Sequence, residues 1–453
     1  MSIRTVLCLA IVLLPAAAPA QPRAAASERL TLESAIEIAL ENNRGLAAAK
    51  LDVERAAADL AVARARRLPS FETTASVSQL LTPVTFAFPR GAFGDYPGIG
   101  PIPAVDTDVK TPQGASYYFN SQVSQPLSQL YRIGLGIRGA AASRAVAVER
   151  TREQELATVN AVKRVYFSIV QTQSALTANG EALALYRELD RTVSTRVAQR
   201  VSLQSESLDV RLRLAETDLS RVTLENTLAS QKEQLNQLLG RDVLTAFDVD
   251  TLPAGAAAVD TSATGIDGLR ARAIGERPDV REARLKVEQA ELDRRVSASA
   301  RIPDVSLAVS YLSNFNIDAL PRNLATVGVQ VKWEPFDWGR RGRDVAAKSQ
   351  VVAQAKLAAR DAEDRAALEI NSRFRKLAEA RATLDVIEMA RGAAREKLRV
   401  ATNRFQVQAA LLTDVLSLRS EMAEADDRFQ SALAAFWTAK ADFEQAIGEG
   451  VVR

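Results

Sequence analysis

The sequence predicts a helix-rich α+β membrane protein whose chain is written twice. Three observations carry this: an internal repeat, four segments of alternating polarity, and two helical stretches far longer than a globular domain requires.

The repeat is legible without gaps over 47–78 and 281–312, at an offset of 234 residues set by Pro69 and Pro303. Ala49/Ala283, Leu51/Leu285, Val53/Val287, Glu54/Glu288, Ala56/Ala290, Asp59/Asp293 and Arg67/Arg301 match. Each copy reads as a helix halted before proline, which pushes the preceding residue out of the α region, and then a strand. Pro126 pairs with Pro335 at an offset of 209, and Leu203, Leu208, Arg211, Ala215, Glu216 and Gly240 find Leu411, Leu416, Arg419, Ala423, Glu424 and Gly448 at 208. The first copy therefore carries about 25 extra residues between its strands, in a Pro- and Gly-rich stretch that reads as a long loop.

The expected organisation follows: 1–20 a leader; 21–240 the first repeat, with strands 71–80 and 117–127 around a loop 81–116, a long helix, a tip near 199–207 and a return helix; 241–268 a linker. The second repeat, 269–448, has strands 304–313 and 325–336 around a short loop and a tip near 406–414; a tail, 449–453, remains.

In the strands, Val305, Leu307, Val309 and Tyr311 oppose Ser306, Ala308 and Ser310; Val327, Val329, Val331 and Trp333 oppose Gly328, Gln330 and Lys332. Copy one sets Phe71, Thr73, Ala75 and Val77 against Glu72, Thr74, Ser76 and Ser78. Its second strand sets Tyr117, Phe119 and Val123 against Tyr118, Asn120, Gln122 and Ser124. Period-two alternation suits a half-buried strand in a soluble sandwich or in lipid. Nearly uncharged polar faces suit a water-filled lumen, and Trp333, Phe336 and Trp338 at a strand end resemble an interfacial girdle. Four strands cannot close a barrel; three chains would supply twelve. Pro335 is expected to end the ladder, with Gly339 and Gly342 bending the chain into the helix.

That helix, about 340–408, would rise roughly 100 Å if continuous. Its counterpart, about 137–204, contains Gly139 and Gly180 as candidate bends. Leu377, Leu384, Leu398 and Phe405 fall on seven-residue steps interrupted by Arg391, with Ala380, Ile387, Ala394 and Ala401 three later. This is an alanine-weakened heptad seam, suited to a cylinder of side-by-side helices. A simple coiled-coil rod would read alike, but would leave the strands unexplained.

The first twenty residues have the form of a secretory leader: Arg4, an apolar run from Val6 to Leu14, and Ala18-Pro19-Ala20. No other stretch is apolar enough for a spanning helix, so a membrane role requires a closed barrel. Cys8 lies in the leader, leaving no thiol or disulfide beyond it. The chain has no histidine, and its 58 Lys+Arg and 55 Asp+Glu are interspersed without a basic run, which argues against nucleic-acid binding. Neither a catalytic motif nor metal-ligand spacing occurs, so no enzyme, cofactor or metal is expected.

The two helical hairpins reverse at 196–212 and 404–419, where Glu206 pairs with Asp414 and Asp209 with Ser417. Acids there cap helix N-termini; multiplied threefold, they would also ring a pore mouth.

With its leader, doubled strand–helix plan, LPSF and IPDV strand entries, WEPFDWGRR strand exit and the tip VQAALLTDVLSLR, the chain resembles the TolC-like outer-membrane efflux family. The resemblance spans the sequence beyond the leader. It implies a homotrimer with a twelve-stranded barrel in the outer membrane of a Gram-negative bacterium, and a periplasmic α-helical barrel. It further implies a passive exit duct for efflux or type I secretion, partnered by a periplasmic adaptor and an inner-membrane pump of RND, ABC or MFS type. Asp414 matches the family's entrance aspartate; Ser417 stands where some members have a second one, Gln408 where glycine is usual, and Ala410 where some have arginine. Phe405 takes the place of a gating tyrosine, and Glu206 and Asp209 are candidates to share the entrance role. Val201, Ser202, Leu203, Ala409, Ala410 and Leu411 become the expected adaptor contacts, and Trp333, Phe336 and Trp338 the membrane-interface aromatics. The competing class is a periplasmic coiled-coil adaptor or structural protein, which would have one hairpin and glycine-rich flanking domains rather than two hairpins.

Overall fold

The computed structural model describes residues 28–79, 81–82, 85–110, 114–201, 203–250, 263–315, 322–407 and 409–449. The expected leader, and the expected tail beyond Glu449, lie outside these. Among the described residues the chain forms two compact units. One takes its residues from 1–38, 165–254 and 391–434, the other from 39–164, 255–390 and 435–453.

The second unit contains α2 (Arg44–Ala65), which follows α1 (Leu32–Asn42) after a break at Asn43. Asn43 Oδ1 accepts the Leu46 N–H at 3.0 Å, the standard solution to the unpaired donors of a helix start. The main sheet comprises β2 (Ser70–Gln79), β7 (Ala115–Pro126), β9 (Asp304–Phe315) and β10 (Asn323–Lys332). It is antiparallel, in the order β10-β9-β7-β2, so β10 and β2 are its edges. The ladder ends at Lys332 opposite Asp304, before Pro335 rather than at it.

The register also corrects the offset of 209. Phe71 stands opposite Val123, Val123 opposite Val309, and Val309 opposite Val327, so all four share one face. An offset of 209 would set Val123 against Lys332, which lies on the other face. Side chains alternate with period two, so only an even offset keeps both copies facing the same way.

The stretch 81–116 is not simply a loop. β3 (Thr85–Phe88) pairs with β6 (Thr107–Lys110), and β4 (Asp95–Tyr96) with β5 (Gly100–Pro101). The Phe88 and Phe93 rings meet at 5.1 Å. Pro and Gly here punctuate a folded extension, with Gly94 and Gly98 at φ of 109° and 86° making its turns.

The helices of this unit interlock through charge. Within it lie α5 (Ala263–Glu276), α6 (Pro278–Ser299), the first part of α3 (Leu130–Ala198), most of α7 (Arg340–Gln406) and the end of α8 (Leu412–Ala446). Arg277 makes two 2.9 Å bonds to Asp279, one of 2.8 Å to Glu369 and one of 2.8 Å to the Ala446 carbonyl. Burial lowers the tendency of Arg277 to hold its charge, but these acceptors more than restore it. Burial likewise raises the Asp279 carboxyl, yet the Arg277 bonds hold it below its usual range.

In the first unit, β1 (Glu28–Leu30) pairs in parallel with β8 (Phe247–Val249). Neither three-residue strand is among the expected ones: β1 lies at the start of the expected first repeat and β8 in the expected linker. Tyr166 Oη donates to the Leu30 carbonyl and accepts the Asp250 N–H, both at 3.0 Å. The helical segments of this unit lie in the order α4 (Gln204–Leu238), α3, α8, α7. Arg211–Asp190 joins the first two, Arg419–Glu181 the next, and Lys397–Glu421 the last.

The long helices run 130–198 and 340–406, and Gly139 and Gly180 lie inside α3 without ending it. Along α7, Val352, Ala359 and Ala366, then Ile370, Leu377 and Leu384, then Ala394 and Ala401 are buried. Phe405 is exposed, so the apolar seam leaves it aside. Among the described residues no helix is long and apolar enough to cross a membrane.

Candidate functional site

Two features of the chain carry functional geometry, one in each unit. The first is the pair of hairpin tips. α3 ends where the Val201 N–H reaches the Arg196 carbonyl at 2.9 Å, with Arg200 at φ 57°. Exactly analogous geometry would be expected 208 residues on, and there the Ala409 N–H reaches the Arg404 carbonyl at 2.8 Å. The far ends of the return helices also match. Gly240 and Gly448 have φ of 69° and 76°, and Arg241 N–H and Glu449 N–H bond back to Asn236 and Glu444. Glycine closes both helices because the left-handed conformation costs it nothing.

The tip carboxylates occupy one position in this frame. Leu203 and Leu411 precede α4 and α8, and Glu206 and Asp414 are each the third helical residue. Asp414 Oδ2 accepts the Leu411 N–H at 3.1 Å, one half of a capping box. Glu206, Asp209 and Asp414 are all exposed, as are Val201, Leu203, Ala409 and Leu411, while Ala410 is half-buried. Ser202 and Gln408 lie outside the described residues.

The second feature is the sheet. Its apolar face is open: Phe71 is 71% exposed, Val327 73% and Val329 65%. The opposite face presents Glu72, Gln122, Ser310 and Thr326 in one cross-strand row. The strand exit beyond β10 is tied by its own charges. Glu334 accepts from Arg340 and Arg341 at 2.9 Å each, and Asp337 accepts the Gly339 and Arg341 backbone N–H groups at 3.1 and 3.0 Å. Gly339 takes φ 80°, which permits the reversal, and the Phe336 and Trp338 rings pack edge to face at 4.8 Å. Trp333, Phe336 and Trp338 are all exposed.

Sequence reasoning missed the corresponding latch at the exit of β7. Ser128 Oγ donates to the Pro303 carbonyl at 2.6 Å and accepts the Val305 N–H at 2.8 Å, while Arg132 bonds Asp304 at 3.0 Å. It joins residues more than 170 positions apart, and a lone serine after a strand gives no local signal for it.

A sheet with one open apolar face and unpaired edges, joined to paired long helical hairpins, defines the architecture of an outer-membrane channel protomer. The chain belongs to the outer membrane efflux protein family, the TolC-like channels: that family's model matches residues 35–241 and 269–449. Its members are channels rather than enzymes. The fold is similar to that of the Campylobacter jejuni CmeC outer membrane channel, with a TM-score of 0.74 and 18% identity over 93% of this chain and 87% of the other. It is also similar to the Vibrio cholerae outer membrane protein VceC (TM-score 0.71, 16% identity, 93% and 97% covered). The open state of the Neisseria gonorrhoeae MtrE outer membrane channel gives 0.67 at 18% identity, with 93% and 90% covered. A Haemophilus influenzae protein, described only as uncharacterized, is 21% identical over 309 residues; the match spans 66% of this chain and 62% of that relative.

Proposed function

We propose that three copies of this chain form a passive exit duct in the outer membrane of a Gram-negative bacterium, serving a tripartite efflux or type I secretion system. The observation that carries this reading is the four-stranded sheet with its exposed apolar face and two unpaired edges, β10 and β2. Open edges are not tolerated in hydrocarbon, and four strands are too few to close. Twelve strands from three chains satisfy every backbone group, with the valine face toward lipid and the Gln122–Ser310 face toward water. The row of four helices in the other unit has the same property, since α4 and α7 are its edges and another copy would continue the row.

In this reading the helices line a periplasmic tunnel, and Glu206, Asp209 and Asp414 lie at its entrance, with Phe405 as a candidate gate. Val201, Ser202, Leu203, Ala409, Ala410 and Leu411 meet a periplasmic adaptor, which receives cargo from an inner-membrane pump of RND, ABC or MFS type. Export requires the leader to be cleaved after about Ala20. A periplasmic coiled-coil adaptor accounts for the helices but not for the sheet.

Cross-linking of intact membranes tests the assembly: a trimer in the outer-membrane fraction is expected, and monomer confined to the soluble periplasm would refute it. Single-channel recording tests the entrance. Replacing Glu206, Asp209 and Asp414 together with alanine should lower cation selectivity, and an unchanged reversal potential would reduce the three to helix caps.

A further inference from the structure

All four strands of the main sheet begin or end at the side from which the long helices leave. Ser70 of β2 lies opposite Ser124 of β7, Pro126 opposite Ser306 of β9, and Asp304 opposite Lys332 of β10. The flanks brought together there are 64–69, 127–138, 294–303 and 333–343. They contain eleven arginines against two carboxylates, Glu334 and Asp337. At the other end, the connection 80–114 sets Arg90 and Lys110 against Asp95, Asp106 and Asp108. The apolar face is therefore bounded by a strongly basic rim on one side and a weakly acidic one on the other.

Few of these arginines are neutralised within the chain. Arg132, Arg340 and Arg341 pair with Asp304, Glu334 and Asp337. Arg66, Arg67, Arg138, Arg301 and Arg343 are exposed, and among the described residues none makes an ion pair within 4 Å. Two of them sit on the helix roots. A Cβ at Gly134 would stand 3.6 Å from Arg67 Nη2, and one at Gly342 would stand 3.9 Å from Arg301 Nη2. These are equivalent positions of the two repeats. Beside them Trp338 is 84% exposed at φ 56°, an unfavourable backbone conformation for a bulky residue, held by the Asp337 bonds.

We propose that this arginine collar binds the phosphate headgroups of anionic phospholipids in the leaflet where the strands end. The inference rests on the duct reading, which puts the valine face in lipid. Exposed guanidinium groups bordering an apolar band are placed to reach phosphates at the membrane surface, while the aromatic rings occupy the interface. Each basic group near an anionic surface adds to the attraction, and the attraction falls with ionic strength.

The test uses the full-length protein in mixed bilayers of phosphatidylethanolamine and phosphatidylglycerol, excised with their boundary lipid by an amphipathic polymer. Mass spectrometry then compares headgroups around the protein with the bulk. Wild type should enrich phosphatidylglycerol about fivefold, less so at high salt. The quadruple variant Arg66→Gln, Arg67→Gln, Arg301→Gln, Arg343→Gln should lose the enrichment, and Arg90→Gln at the opposite rim should keep it. Bulk composition around wild type, or enrichment unchanged in the quadruple variant, would overturn the proposal. So would binding to isolated cell-wall sacculi that depends on the same four arginines while the lipid stays bulk-like. Failure of the chain to enter the bilayer would instead refute the duct reading beneath it.

Discussion

Asp414 accepts the backbone N–H of Leu411 across the start of α8, and Glu206 holds the same third position in α4. The carboxylate proposed to line the tunnel entrance thus also shapes the tip that presents it. Asp414→Ala should remove the cap and weaken the first turn of α8 by about 0.5–1 kcal/mol, while Asp414→Asn should retain much of it. Amide hydrogen exchange at the start of α8 distinguishes the two. Equal protection in both variants would show that the capping bond contributes nothing.

Arg277 should be the least replaceable charged residue of its unit. Its side chain is largely buried among Asp279, Glu369 and the Ala446 carbonyl, so Arg277→Ala leaves Asp279 only its bond from the Val280 N–H and Glu369 only the longer contact with Arg373. A loss of about 1–3 kcal/mol is expected, because solvent reaches both acids and moderates the cost of removing their buried partner. Thermal unfolding of the solubilised protein measures it.

The same cluster sets a pH dependence with two opposed limbs. Asp279 and Glu282 are held below their usual ranges: burial raises both, but Arg277 outweighs it for the first, and Lys286 and Arg150 for the second. Their contribution is present above the unfolded value, about 4, and is lost as pH falls through the lower folded values. Glu153 is pushed up by burial and by the charges of Asp279 and Glu282. Its ionisation opposes folding, so stability declines as pH rises from the unfolded value through the raised one. Glu153→Gln should reduce that decline and leave the acid limb intact, the remainder belonging to Asp427, whose carboxyl burial also pushes up. Thermal midpoints measured across the acid range give both limbs, and a variant whose decline is as steep as that of wild type would assign the second limb elsewhere.

Arg391 interrupts the expected heptad seam without breaking α7, because it finds its own partners. Its Nε lies 2.5 Å from Asp426 Oδ1, and its guanidinium stands 4.4 Å over the Phe429 ring. A double-mutant cycle with Arg391→Ala and Phe429→Ala should give a coupling of about 1 kcal/mol. Strict additivity would show that the stacking is incidental.

Tyr166 clasps the parallel pair β1–β8 through its hydroxyl. Tyr166→Phe keeps the ring but leaves the Leu30 carbonyl and the Asp250 N–H without this partner, at a cost of about 1–2 kcal/mol. Increased protease cleavage near Leu30 and Asp250 reports the loosening. Unchanged cleavage would mean that the strand pairing alone holds the segment.

The sequence by itself determined what local physics encodes. Alternation of period two marked the four strands of the sheet, proline marked where the preceding helices stop, and uninterrupted helix-forming composition marked α3 and α7. The repeat located Glu206 and Asp414 as counterparts, because matched caps and closing glycines recur at a constant spacing. Only the tertiary structure decided what depends on distant partners. Strand neighbours showed that Phe71, Val123, Val309 and Val327 share a face, which ruled out the offset of 209, since parity is a property of pairing and not of one strand. The three-residue strands β1 and β8 are too short for any periodicity, and only their parallel pairing defines them. The Ser128 latch and the gathering of Arg67 and Arg301 at one end of the sheet likewise follow from antiparallel order, which brings together flanks that lie far apart along the chain.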